Sequence, residues 1–181
     1  MIGGRLDFTV KAGLLLLLVS ATAAAQTLIE PGSAAAAFDA PATGVSLRCE
    51  VKPVPPALNF GLRFQAGYVV RFPLTEFTGA GHRLRVVLRV TPEGAEPAYL
   101  ADKVELPNVP QTKADGTISG WLLVGEGDYR VEARVEDERH RVCRGEWRMH
   151  ARRGPEEKKL IPAMAPGAVA TLSSQIGRAH V

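Results

Sequence analysis

The sequence predicts an all-β protein, an antiparallel sandwich. From Ser46 onward apolar and polar residues alternate with period two, which sends successive side chains to opposite faces of a strand. The alternating runs are short and are separated by turn-forming clusters such as Thr78-Gly79-Ala80-Gly81, Thr91-Pro92-Glu93-Gly94 and Asp115-Gly116. No stretch after residue 25 carries a helical period, so a parallel sheet with crossover helices is not expected.

Residues 1–25 read as an export signal. Arg5 and Lys11 give a positive start, Ala12 to Ala21 is an almost unbroken apolar run centred on Leu14 to Leu18, and Ala23-Ala24-Ala25 is a small-residue cleavage site. The run is shorter than the about 20 apolar residues of a membrane-spanning helix. The mature chain is therefore expected to be secreted or periplasmic, with no integral membrane segment left after cleavage. Residues 26–44, rich in Ala, Pro, Gly and Ser, read as a flexible linker.

The sandwich is expected over residues 45–153. Leu47, Cys49 and Val51 share one face of its first strand. Phe60, Leu62, Phe64, Ala66, Tyr68, Val70, Phe72 and Leu74 keep one phase, a run too long for one ordinary strand, with a bend or division expected at Ala66-Gly67. Leu84, Val86, Leu88 and Val90 then alternate with Arg83, Arg85 and Arg89. Tyr99 to Leu106 is a weaker strand closed by Pro107 and Pro110, and Ile118 to Val124 is the next. Tyr129, Val131, Ala133 and Val135 alternate with Arg130, Glu132, Arg134 and Glu136 before the chain returns as Arg141 to Arg152, the strongest hairpin signal.

Residues 154–175 fit a linker or a last edge strand. Residues 176–181, Ile176 to Val181, are the translation of one frame of a common short-read sequencing adapter, ATC GGA AGA GCA CAC GTC, and read as a sequencing-adapter artefact. On that reading the natural protein continues beyond about Gln175.

The 181-residue chain carries 22 basic and 19 acidic residues; without residues 1–25 it keeps 156 residues, 20 basic and 18 acidic, a net charge of +2. That size suits one domain, and so small an excess gives no reason to expect nucleic acid as a partner. Cys49 and Cys143 are the two thiols. An exported protein meets an oxidising compartment, and both residues are expected to point inward, so a disulfide is expected in preference to two buried free thiols.

The stretch from Leu122 to Val131, with Gly125-Glu126-Gly127-Asp128-Tyr129, resembles the approach to the penultimate strand of immunoglobulin-like and fibronectin type III-like modules. The resemblance implies that Tyr129 is a corner tyrosine whose hydroxyl satisfies an upstream backbone group. No cysteine lies two residues after Tyr129, and Trp121 and Trp147 do not follow the antibody-domain pattern. A second resemblance runs from Leu47 to Leu172, through Phe64-Gln65-Ala66-Gly67-Tyr68, Leu88-Arg89-Val90-Thr91-Pro92-Glu93, Gly125-Glu126-Gly127 and Arg141-Val142-Cys143. It is similar to exported bacterial proteins in which such a module precedes a von Willebrand factor A-like region, and it implies an accessory module with no catalytic residue.

His140, Cys143, Glu146 and His150 include metal-ligand types, but Cys143 points opposite to the other three on a strand, so no metal is expected. Arg144, Arg148, Arg152 and Arg153 follow the outward side of the last strand and its exit, a possible anion or partner surface; Glu132, Glu136 and Glu146 interleave with the basic residues and favour cross-strand pairing. Asp102 with Glu105, or Glu126 with Asp128, are the carboxylate pairs a glycoside hydrolase would need, with nothing to fix their separation. Gly125 and Gly127 precede a strand, not a helix, and so make no phosphate loop. Trp121 and Trp147 would stack on sugars if exposed, although the phase of Trp147 favours core packing. The expectation is a non-enzymatic accessory or interaction module without a cofactor, its partner another envelope protein or a downstream domain of the same chain. The alternative is a carbohydrate-binding module or the front of an extracellular hydrolase.

Overall fold

The computed structural model describes residues 27–29, 31–42 and 45–172. The export-signal reading of residues 1–25 and the adapter-frame reading of residues 176–181 lie outside the described residues. In chain order the elements are β1 (Thr27–Leu28), α1 (Pro31–Asp39), β2 (Glu50–Leu58), β3 (Phe64–Pro73), β4 (Arg83–Pro92), β5 (Ala98–Glu105), β6 (Asp115–Val124), β7 (Gly127–Asp137), β8 (Val142–Ala151) and β9 (Val169–Thr171). They form a five-stranded sheet in the order β1-β5-β4-β7-β8 and a four-stranded sheet in the order β2-β3-β6-β9. Every pairing between named strands is antiparallel. The expected all-β sandwich is the architecture found.

The period-two phases decide which side chains fill it. Phe64, Ala66, Tyr68, Val70 and Phe72 from β3 meet Leu84, Val86, Leu88 and Val90 from β4 and Val131, Ala133 and Val135 from β7 in one buried cluster. Removing this apolar surface from water is the main favourable term in folding, at about 25 cal/mol per Å².

The long run beginning at Phe60 divides earlier than its alternation suggests. The Asn59 side-chain oxygen accepts hydrogen bonds from the backbone N–H of Gly61 (3.0 Å) and Arg63 (3.2 Å), and Leu62 takes a φ of 54°. This local turn competes with the ladder and leaves Phe60 fully exposed. β3 then pairs with β6 without interruption through Gly67, while the register with β2 shifts opposite Ala66, from Val54 facing Gly67 to Ala57 facing Gln65, so the irregularity expected at Ala66-Gly67 lies in the partner strand and not in a division of β3. A Cβ there would lie 2.6 Å from the Gly120 carbonyl oxygen and 2.8 Å from Trp121 Cε3, so the glycine makes room for an indole on the neighbouring strand.

The segment read as a flexible linker instead contains β1 and α1. Thr27 and Leu28 pair with Ala101 and Leu100 on the edge of β5. The run Ala34 to Ala37 has the highest intrinsic helix propensity, and it ends on Phe38, which is 1% exposed and packed with Val87 and Tyr99. A helix held by one aromatic anchor has no period to read.

Cys49 and Cys143 form a disulfide with Cα atoms 6.0 Å apart. It joins the entry to β2 with the start of β8, across the open side of the sandwich. Leu47 N–H donates to the Val142 carbonyl at 3.1 Å beside it, and a Cβ on Gly145 would lie 2.8 Å from Val51 Cβ. The free edge of β2 carries Pro53, Pro55 and Pro56 and a register shift between Val54 and Ala57, both of which discourage a further strand from adding.

At the same end as the β7–β8 turn, Arg141 bonds Asp137 at 2.6 Å and Glu76 at 2.8 Å and lies 5.7 Å from the Phe77 ring centroid. His82 bridges the Glu138 carboxylate (2.8 Å) and the Thr78 carbonyl (3.1 Å). The hydrogen bond to Glu138, then that to Thr78, raise the His82 pKa above 6.5. A raised histidine contributes stability that is full below its unfolded pKa and is lost as pH rises through its folded pKa. In the expected result His82→Gln flattens the stability profile between pH 6 and pH 8, checked by urea midpoints across that range; an unchanged slope contradicts a stabilising His82–Glu138 bond.

Candidate ligand groove and partner surface

The outward side of the five-stranded sheet is where the chain concentrates positive charge. Its strands present Arg83, Arg85 and Arg89 from β4, Lys103 from β5, Arg130 and Arg134 from β7, and Arg144 and Arg148 from β8, eight cations in all. Five carboxylates oppose them, Glu105, Asp128, Glu132, Glu136 and Glu146. The excess of three comes from β4, whose outward face carries Arg83, Arg85 and Arg89 and no carboxylate, whereas the charges on β5 and on the β7–β8 hairpin balance.

Strand register places two arginine pairs directly opposite each other on the β7–β8 ladder, Arg134 with Arg144 and Arg130 with Arg148. Like charges in that position repel. The first pair is relieved by α1. Arg134, 3% exposed, and Arg144 both donate to the Phe38 carbonyl at 3.3 Å, and Arg134 also donates to the Ala40 carbonyl at 2.5 Å. These carbonyls end the helix, where partial negative charge attracts cations. The Phe38 ring lies 4.5 Å from the Arg89 guanidinium and 5.6 Å from that of Arg144. Arg89 also bonds Glu132 twice at 2.7 Å, which holds the Glu132 carboxyl below its usual range.

The second pair faces a groove of about 770 Å³ between the β4–β5 turn and the ends of β7 and β8. Arg130 turns to Glu146 at 2.9 Å and to Glu132 at 3.6 Å. Arg148 makes no ion pair or side-chain hydrogen bond among the described residues, and neither do Glu93 and Glu96 on the turn that forms the opposite wall. Asp128 on the rim is engaged by His150 (2.7 Å) and Arg152 (2.6 Å), and the hydrogen bond from His150, then that from Arg152, keep its carboxyl below the usual range.

The four arginines singled out as an anion or partner surface thus have different roles. Arg144 holds α1, Arg152 neutralises Asp128, and Arg153 bonds Glu126 at 2.8 Å and donates to the carbonyls of Lys158 (3.1 Å) and Leu160 (2.7 Å). Arg148 remains available. Sequence reasoning missed the buried role of Arg134, which alternates like any outward residue and is covered by a helix the pattern did not reveal. It also missed Glu93 and Glu96, which the sequence presents as ordinary turn residues.

Tyr129 packs in the core with its hydroxyl donating to the Gly125 carbonyl at 2.8 Å, and burial pushes its pKa up to about 12. His140 bonds Glu136, His150 bonds Asp128 and Cys143 is in the disulfide, so these metal-ligand types do not converge. Among the described residues no group of three or more His, Cys, Asp or Glu is placed to hold a metal ion. The carboxylate pairs are separated in role as well. Glu126 is tied to Arg153, and Asp102 points into the sandwich while Glu105 points out. Trp147 packs against the core and Trp121 is 38% exposed on the outer face of the other sheet, so the two indoles share no platform.

Asp102 is 6% exposed, and its Oδ1 atom has no hydrogen-bond partner among the described residues. Desolvation raises its pKa. A carboxyl raised in the folded state gives greatest stability at low pH, which falls as pH climbs from the unfolded pKa through the folded one. In the expected result Asp102→Asn is at least as stable as the parent at pH 7 and less sensitive to pH between 4 and 7. Calorimetric melts at those pH values check this, and a melting temperature that falls at pH 7 contradicts it. Among the described residues no helix is long and apolar enough to cross a membrane. In comparisons with protein-family models, curated proteins and solved structures, nothing matches the chain.

Proposed function

We propose that this chain is an exported, non-enzymatic module of immunoglobulin-like or fibronectin type III-like topology, secreted or periplasmic, that contacts another envelope protein or a linked domain. The strand order supports the topology. β2, β3 and β6 on one side face β5, β4, β7 and β8 on the other, and the tyrosine corner lies at the crossing from β6 to β7. The observation that carries the functional reading is the path of the chain. The approach to β2 lies beside Val142, at the end holding the β7–β8 turn, and β8 finishes at the opposite end, beside the groove, before the segment after it folds back onto β6 as β9. Modules joined in series contact their neighbours at such ends, and the groove lies at the end where β8 finishes.

The test is cross-linking in cells that natively make the protein, with a photoreactive residue in place of Ala95 on the groove wall or of Arg71 on the other sheet. A defined adduct from position 95 and none from position 71 is the expected result. Equal adducts from both positions, or none from position 95, overturn the reading.

The exposed indole of Trp121 favours a second reading, a carbohydrate-binding face on the four-stranded sheet. Its ring lies over Gly67, where no side chain intrudes. Binding to a polysaccharide array that Trp121→Ala abolishes is the outcome this reading requires.

A further inference from the structure

We infer that the groove between the β4–β5 turn and the β7–β8 ladder is a binding site for a zwitterionic, peptide-like ligand, its carboxylate held by Arg148 and its ammonium by Glu93 and Glu96. This inference rests on the proposed role as an interaction module and names the chemistry that the module reads.

Three observations meet here. The Arg130–Arg148 repulsion is the twin of the Arg134–Arg144 repulsion four residues along each strand, and α1 answers the twin with carbonyl oxygens. A ligand carboxylate would answer this one. Arg130 is already drawn toward Glu146, which leaves the planar fork of Arg148 to donate to a carboxylate in bidentate geometry. The negative wall is independent of the positive one. Glu93 and Glu96 share the groove with Arg148 yet do not bond it, so the cavity keeps separated charges of both signs. A ligand carrying one charge leaves the other wall unmatched, and a ligand carrying both satisfies each wall.

The volume of about 770 Å³ lies within the range of small-ligand pockets and admits a few residues of peptide. The floor gives it fixed shape. Pro92 is buried and Tyr129 is locked by its corner hydrogen bond, so the two walls stand on the rigid sandwich, not on a free loop. Glu93 is further anchored by its backbone N–H, which donates to the Asp128 carbonyl at 2.9 Å.

The test titrates the full chain with a terminally blocked Glu-Ala-Ala-Lys peptide, and with versions in which Gln replaces either charged residue, by NMR at the Arg148 side chain and the Gly94 amide. The doubly charged peptide should bind at least tenfold more tightly than either singly charged one. Arg148→Ala, and separately Glu93→Gln with Glu96→Gln, should each reduce its affinity at least tenfold. All three side chains are solvent-facing, so the variants keep the fold. Equal affinity for the peptide lacking Lys would mark a plain anion site, and no response to any peptide would remove the site; both outcomes overturn the inference. If cross-linking at position 95 persists while the peptides fail, the module reading stands and the ligand class alone falls.

Discussion

Replacing Cys49 and Cys143 together with alanine is expected to lower unfolding stability by about 4 to 5 kcal/mol. The bond spans 94 positions in sequence, and in the chain-entropy model a loop of that size removes roughly this much free energy from the unfolded state's advantage. A typical domain has a net stability of about 5 to 15 kcal/mol, so the loss leaves little reserve. The structural consequence is local as well as global. The disulfide lies where β2 and β8 approach without a continuous ladder, held beside it by the Leu47 to Val142 hydrogen bond and by Val51 against Gly145. Urea unfolding of the double variant, and of the parent with and without reductant, should agree. A change below about 1 kcal/mol would mean that the unfolded chain is already compact at this contact.

The second large effect is expected at the tyrosine corner. Tyr129→Phe keeps the ring in the core but removes the hydroxyl that donates to Gly125, leaving a buried carbonyl short of a partner, at about 1 to 3 kcal/mol. Gly125→Ala attacks the same corner from the other side. A Cβ there would lie 1.8 Å from the Ala165 carbonyl oxygen, so the segment leading to β9 must move. Gly125 N–H also donates to the Ala168 carbonyl at 2.9 Å, and the three β9 pairs with β6 follow directly. Fast amide exchange at Val169 to Thr171 in Gly125→Ala, with the β7–β8 ladder still protected, is the signature of β9 detaching. Uniform loss of protection would instead mean that the corner supports the whole sandwich.

The strands were legible because their two faces meet different surroundings. Val131, Ala133 and Val135 must be apolar for the core, and Arg130, Glu132 and Arg134 must be polar for the other face. The disulfide followed from the same phase, since Cys49 and Cys143 each share a strand face with core residues. Three features were not legible. The turn at Asn59 mimics strand phase because Phe60 and Leu62 are apolar, and side-chain bonds from Asn59 override it. Helix α1 is seated by the Phe38 ring in a tertiary socket of Arg89, Tyr99 and Arg144 and by arginine bonds to its last carbonyls, neither of which any local pattern announces. The groove depends on Arg148 facing Glu93 and Glu96 across 52 to 55 positions of sequence, a juxtaposition that only strand register creates.

The proposed export and the Cys49–Cys143 disulfide can be read in one experiment. Intact-mass measurement on the protein taken from cells that natively make it, with thiol alkylation before and after reduction, tests both most directly. The expected result is a chain beginning at Gln26, recovered outside the cytoplasm, whose two cysteines resist alkylation until a reductant is added. A chain retaining Met1, or an exported chain with both thiols open to alkylation while its sheets are intact, would contradict it.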